Sequence, residues 1–171
     1  LWLATADRGL CASLYSASEV SAKVGGGAVK IAEETDYPFG DTVTIKVSAA
    51  QPVKFPLYLR IPRWCSDASA MINGKSVRFT AKPLSYVVLD REWKNGDTVS
   101  LRLPMQVWVQ KWEKNHNAVS VNYGPLTFSL KIGERWERCG GTEAWPELEV
   151  FPTTPWNYGL VLNEKTPAKS F

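Results

Sequence analysis

The stretch "FPLYLRIPRWC", residues 55–65, decides the fold. Phe55, Leu57, Leu59 and Ile61 fall on one side of an extended chain and Pro56, Tyr58 and Arg60 on the other. That period of two is the mark of a half-buried β-strand. Pro62 then ends the run, and Trp64 and Cys65 fill a corner that the pattern reads as scaffold.

The same period recurs on both sides. "TVTIKVS" (42–48) sets Val43, Ile45 and Val47 against Thr42, Thr44, Lys46 and Ser48, and "TVSLRL" (98–103) does so with Val99, Leu101 and Leu103. "GLCASLY" (9–15), "AVKIAEE" (28–34), "SYVVLD" (85–90), "VWVQKW" (107–112) and "AVSVNYGPLTFSL" (118–130) alternate with less purity. The runs are rich in β-branched and aromatic residues, as strands prefer. The breaks between them are turn chemistry: "GGG" (25–27), Asn73-Gly74 and Asn95-Gly96. Prolines 38, 52, 56, 62, 83, 104 and 125 stand at the starts, edges or ends of runs. The one helix candidate, "ADRGLCASLYSASEV", is weakened by its Gly and Ser. About nine short strands at intervals of roughly ten residues predict an all-β fold, an antiparallel, jelly-roll-like β-sandwich.

Residues 1–105 are expected to form that sandwich, and 106–171 to add strands and an extended segment, either the start of a second β unit or a cover over the first. Beyond residue 132 the texture changes. Trp136, Trp145, Phe151, Trp156 and Tyr158 lie among Pro146, Pro152, Pro155 and Pro167, with little alternation before "NYGLVLN". This aromatic, Pro-rich C-terminal segment is expected to pack over the sandwich or a neighbouring domain, because prolines lower the entropy lost on docking and aromatics supply contact area.

Composition narrows the function. A chain of 171 residues with 44% hydrophobic and 22% charged residues can bury a real core. The net charge is only +3 and no Lys/Arg run occurs, which argues against nucleic acid. No apolar run approaches the ~20 residues of a membrane helix, so no membrane partner is expected. The first residues lack the features of a signal peptide and an initiator Met, and "EKTPAKSF" completes no element, so an internal piece of a longer polypeptide is expected.

Chemistry is sparse. His116, the single histidine, lies in the polar stretch "KWEKNHNAV". Cys11, Cys65 and Cys139 lie far apart with no paired spacing, which predicts three small buried hydrophobes and no metal site. Glu33, Glu34 and Asp36 form one acidic cluster, and Glu134 and Glu137 flank Trp136; both read as surface decoration beside strand ends. Trp64 and Trp93 adjoin strand ends and read as packing. Trp145, Trp156 and Tyr158 are the candidate contacts, stacking on sugar rings or anchoring an interface.

Taken in order, "GLCASLYSASEV", "EETDYPFGDTVTIKV", "FPLYLRIPRWCSDASAMINGK", "SYVVLDREWKNGDTVSLRLPMQV" and "VSVNYGPLTFSLKIGERWE" resemble glycoside hydrolase family 127, the β-L-arabinofuranosidase-like enzymes. The similarity spans residues 9 to 137 and falls in the region after the catalytic barrel. It implies a parent with an (α/α)6 helical barrel followed by β-sandwich domains. It implies catalysis by a cysteine nucleophile in a zinc site of cysteines and a glutamate, all in the barrel. Cys11, Cys65 and Cys139 match no position of that motif, so no catalytic residue and no cofactor is carried onto this chain. The expected role is a non-catalytic module beside the catalytic barrel of the same polypeptide or a second subunit. The alternatives are an independent module binding a plant-type glycan, or a purely structural sandwich with no upstream barrel.

Overall fold

The computed structural model describes residues 1–80, 82–163 and 165–170. The chain divides into two compact units: Leu1–Gln106 with Tyr123–Leu126, and Val107–Asn122 with the residues from Thr127 on.

The first unit is a sandwich of two sheets. Its strands are β1 (Trp2–Ala4), β2 (Leu10–Ala12), β3 (Ser18–Val24), β4 (Gly27–Thr35), β5 (Thr42–Ala49), β6 (Val53–Ile61), β7 (Ser69–Ile72), β8 (Lys75–Val77), β9 (Ser85–Trp93) and β10 (Thr98–Arg102). One sheet has the order β1-β2-β6-β9 and the other β3-β4-β5-β10-β7-β8. The pairings are antiparallel except β2 with β6, which run parallel with Leu10 opposite Leu57. The period of two does what it predicts. Val43, Ile45, Val47, Leu57, Leu59, Ile61, Val99 and Leu101 are all fully buried and share one core.

The corner after β6 is the crossover from one sheet to the other. Cys65 donates its N–H to the Pro62 carbonyl at 3.2 Å and is fully buried, with Trp64 packed against the core. Pro56, expected near an end, stands inside β6 opposite Asp90. On its other flank the pairing with β2 has not yet begun, and Gly9 sits against it: a Cβ on Gly9 would meet the Pro56 carbonyl at 2.3 Å.

The two Asn-Gly pairs differ. Asn73-Gly74 closes the β7–β8 hairpin with φ of 51° and 76°, the left-handed pair that a two-residue turn needs. Asn95-Gly96 joins β9 to β10, which lie in different sheets, so it is a crossover and not a hairpin. Asp97 ties the two turns together. Its carboxylate accepts from Asn73 Nδ2 at 2.7 Å and from the Lys94 N–H at 3.0 Å.

The remaining strands are β11 (Val107–Trp112), β12 (Ala118–Tyr123) and β13 (Leu126–Thr127), paired in one sheet, and a hairpin of β14 (Glu134–Gly141) and β15 (Pro146–Pro152). The hairpin is one of the strands added after residue 106, and irregular chain follows it from residue 153 to 163. "ELEV" at 147–150 alternates, but its flanking prolines disguise it. "NYGLVLN", in turn, is not a strand, and Pro167–Ser170 forms a short 3-10 turn. Positions 164 and 171 of "EKTPAKSF" lie outside the described residues.

Candidate functional site

Trp145 stands at the tip of the β14–β15 hairpin. Its N–H donates to Thr142 Oγ1 at 3.1 Å and its carbonyl accepts from the Thr142 N–H at 3.0 Å, so a four-residue turn presents the indole, 83% exposed. Trp156 and Tyr158 lie in irregular chain and are also exposed. Tyr15 meets Tyr37 and Phe55 meets Trp93 inside the first unit, and none of the three candidates takes part in those contacts. The three candidate aromatics are therefore presented to solvent without being stacked into one platform.

The cysteines divide. Cys11 and Cys65 are buried as expected, and burial pushes both thiols up. Cys139 is exposed, which corrects the expectation of a third buried thiol, because a two-stranded hairpin has no second layer of its own to cover it. The described residues contain no group of three or more His, Cys, Asp and Glu that could hold a metal ion.

The acidic cluster also divides. Glu34 is exposed and pairs with Lys46 at 2.7 Å. Glu33 is buried, 2% exposed, and so is no surface decoration. Its parity explains why: Val29, Ile31 and Glu33 share the inward face of β4. Glu33 Oε1 accepts the Ser16 N–H at 2.8 Å, and so holds the crossover from β2 to β3. Its Oε2 is buried without a partner. Burial raises the pKa of this carboxyl, against the Ser16 hydrogen bond and the N-terminal ammonium, which lower it.

Around it lies a polar seam that sequence reading missed. The Tyr15 hydroxyl donates to the Arg60 carbonyl at 2.7 Å, and burial raises its pKa well above the usual tyrosine value. Tyr37 meets Tyr15 edge-on at 5.9 Å. The Tyr37 hydroxyl is also raised by burial, with Arg60 and Trp64 beside it. These groups are occupied with holding the end of the sandwich. The signal that could have found Glu33 was present, a carboxylate in register with two core residues.

His116 lies in the turn between β11 and β12 with φ of 50°, exposed and remote in sequence from any carboxylate pair.

Three comparisons bear on this arrangement. The family model for the β-L-arabinofuranosidase GH127 middle domain matches residues 9–105. A solved glycoside hydrolase shares 31% identity over 71% of this chain and 21% of its own, with a TM-score of 0.65. Ara127N, a GH127 β-L-arabinofuranosidase from Geobacillus stearothermophilus T6, shares 26% identity over 88% of this chain and 31% of its own, with a TM-score of 0.67. The GH127 β-arabinofuranosidase BT3674, at 19% identity and a TM-score of 0.64, shares the fold over 86% of this chain and 29% of its own. The chain thus spans under a third of the length of each of these solved relatives. No curated protein sequence matches.

Proposed function

Since the chain belongs to the β-L-arabinofuranosidase GH127 middle-domain family, we propose that it is a non-catalytic β-sandwich module of a glycoside hydrolase. Its parent hydrolyses glycosidic bonds, with L-arabinofuranosides of plant glycans as the substrate class that the relatives' names suggest. The module supports the catalytic helical barrel of the same polypeptide or an oligomer contact. In this reading zinc belongs to that barrel.

The observation that carries the proposal is the occupation of the buried polar groups. Asp97 is held by Asn73 and Lys94, Tyr15 by the Arg60 carbonyl and Glu33 by Ser16. Each closes a turn or a crossover. The carboxylates of Asp97 and Glu33 are turned into the sandwich and face no open cleft, where a glycosidase would present its acid and base. The purified chain is expected to show no turnover of aryl arabinofuranosides with zinc and reductant added. Turnover would overturn the proposal.

A second reading, an independent carbohydrate-binding module, is favoured by one observation, the exposure of Trp145, Trp156 and Tyr158. Its test is a titration with arabinan, arabinoxylan and arabinogalactan followed by tryptophan fluorescence. Saturable quenching that disappears in Trp156→Ala would place this reading first.

A further inference from the structure

The two Asn-Gly pairs that turn the chain in the first unit are also its chemically weakest points. Asparagine is a heat-labile residue. A following glycine has no side chain to shield its peptide nitrogen, which can then attack the asparagine carboxamide. In that step the glycine nitrogen gives up its proton and bonds to Cγ, Nδ2 leaves as ammonia, and a five-membered succinimide remains. Water then opens the ring at one carbonyl or the other. The product is aspartate, or isoaspartate with one extra carbon in the main chain. Nothing is oxidised or reduced, and water is the only co-reactant.

Two conditions must hold for the ring to close. The carboxamide must be free to swing onto the next nitrogen, and that nitrogen must be free to lose its proton. Asn73 and Asn95 are both exposed, so exclusion of water protects neither. The fold instead denies a different condition at each pair.

At Asn73 it holds the carboxamide. Nδ2 donates to Asp97 Oδ1 at 2.7 Å, and Oδ1 accepts the Thr98 N–H at 2.8 Å. The main-chain N–H of Asn73 donates to the Thr98 carbonyl at 2.9 Å, so the residue is fastened to the start of β10 at three atoms. The Gly74 N–H makes no backbone hydrogen bond among the described residues. At Asn95 the roles are exchanged. The carboxamide is held by a longer bond, Oδ1 accepting the Ala49 N–H at 3.3 Å. The attacking nitrogen is the group that is occupied: the Gly96 N–H donates to the Val47 carbonyl at 2.9 Å, beside the bond from the Val47 N–H to the Asp97 carbonyl at 2.8 Å.

We propose that Asn73 and Asn95 are latent deamidation sites, closed in the folded chain by two separate guards: Asp97 and Thr98 on the Asn73 carboxamide, and the Val47 carbonyl on the Gly96 nitrogen. Modification then follows opening of the turns, and it is not reversed on closing. A carboxylate at position 73 would face the Asp97 carboxylate in place of an amide donor. Isoaspartate there would also lengthen a two-residue turn whose φ values of 51° and 76° fit an ordinary backbone. Each opening that ends in modification therefore leaves a lasting misfit between β7–β8 and β10.

The test is ageing of the 171-residue chain at neutral pH, folded and in unfolding urea, with peptide mapping by mass spectrometry. In urea the two pairs should convert at equal rates, since their local sequence is the same. In the folded chain each should convert at least about tenfold more slowly, because conversion waits on local opening. Hydrogen exchange reads the guards apart: the Gly96 amide should exchange at least about tenfold more slowly than the Gly74 amide. Asp97→Ala should speed Asn73 in the folded chain by about fivefold, the weight of one hydrogen bond. Asp97→Asn, which keeps an oxygen acceptor for Nδ2, should speed it less. A pair that converts as fast folded as in urea overturns the proposal for that pair, whether or not Asp97→Ala folds. Gly96 exchanging as fast as Gly74 removes the guard at Asn95, and Asn73 converting no faster in folded Asp97→Ala than in the wild type removes the guard assigned to Asp97.

Discussion

Replacing Glu33 by Gln tests the reading of the buried seam most sharply. The carboxyl is 2% exposed, with one oxygen bonded to Ser16 and the other unpartnered, and burial raises its pKa from the ordinary 4.5. The folded state therefore keeps this proton to a higher pH than the unfolded chain does. Its contribution to stability is fully present below about 4.5, the unfolded value, and is lost as pH rises through the folded value. One such proton gives a slope of at most about 1.4 kcal/mol per pH unit. Gln keeps the acceptor for Ser16 but cannot titrate. Its extra N–H groups, if unsatisfied, cost about 1–3 kcal/mol, and that offset does not change with pH. Asp41 and Asp97, both held low, act in the opposite sense but are common to both proteins and cancel in the difference. Urea unfolding followed by far-ultraviolet circular dichroism, from about pH 4 to pH 8, is the assay. Wild-type stability should fall relative to E33Q as pH rises. A flat difference would mean that the carboxyl is solvated. A difference of opposite sign would mean that Glu33 is held ionised by a cation.

Trp93 is fully buried and its Nε1 donates to the Phe55 carbonyl at 2.9 Å, so Trp93→Phe should cost about 1–3 kcal/mol in urea unfolding by orphaning that carbonyl. Gly9→Ala drives a methyl into the Pro56 carbonyl and should lower Tm, whereas Gly26→Ala, with open space around it but φ of 86°, tests backbone strain without a clash. Of the three thiols, Cys139 alone should react quickly with a disulfide reagent in the native protein, and Cys11 and Cys65 only after unfolding; three equal rates would contradict the burial. Deleting residues 133–171 should leave the first unit folded, since its core ends at Leu103, and loss of cooperative melting would show otherwise.

The strands of the sandwich were legible because each buries one face, and burial of one face writes a period of two into the sequence. Asn73-Gly74 was legible as a hairpin for an equally local reason, since both residues must adopt positive φ. Asn95-Gly96 carries the same local chemistry and still leads across to the other sheet. A turn dipeptide specifies a change of direction, while the pairing partner is chosen by long-range packing that no short window contains. Glu33 was misplaced by residue type: a carboxylate suggests a surface, but its parity with Val29 and Ile31 already put it inside. The β14–β15 hairpin was missed because its apolar residues are shared between strands. Trp136 lies opposite Val150, and Leu148 follows on the same face. On β15 the alternation of Leu148 and Val150 is disguised by Pro146 and Pro152, and β14 adds only Trp136 to that face.

What the sequence could hold only in fragments is the difference between the two exteriors of the sandwich. In "FPLYLRI" the residues opposite the core are Pro, Tyr and Arg, and in "SYVVLD" they are Tyr86, Val88 and Asp90. Each run by itself passes for an impure strand. The register makes them one surface, because Tyr58 lies against Val88 on one side and Cys11 on the other. The impurity in the alternation is then itself a signal. A strand whose outward positions are polar needs only its own core, as on β5 and β10, where Thr, Lys, Ser and Arg face water. Outward aromatic and branched residues such as Tyr86 and Val88 leave apolar surface in water. The purity of "TVTIKVS" and "TVSLRL" thus reports strands whose outer positions face water, while an impure run needs its register before its outer face can be read, since "AVKIAEE" is impure and still belongs to the polar sheet.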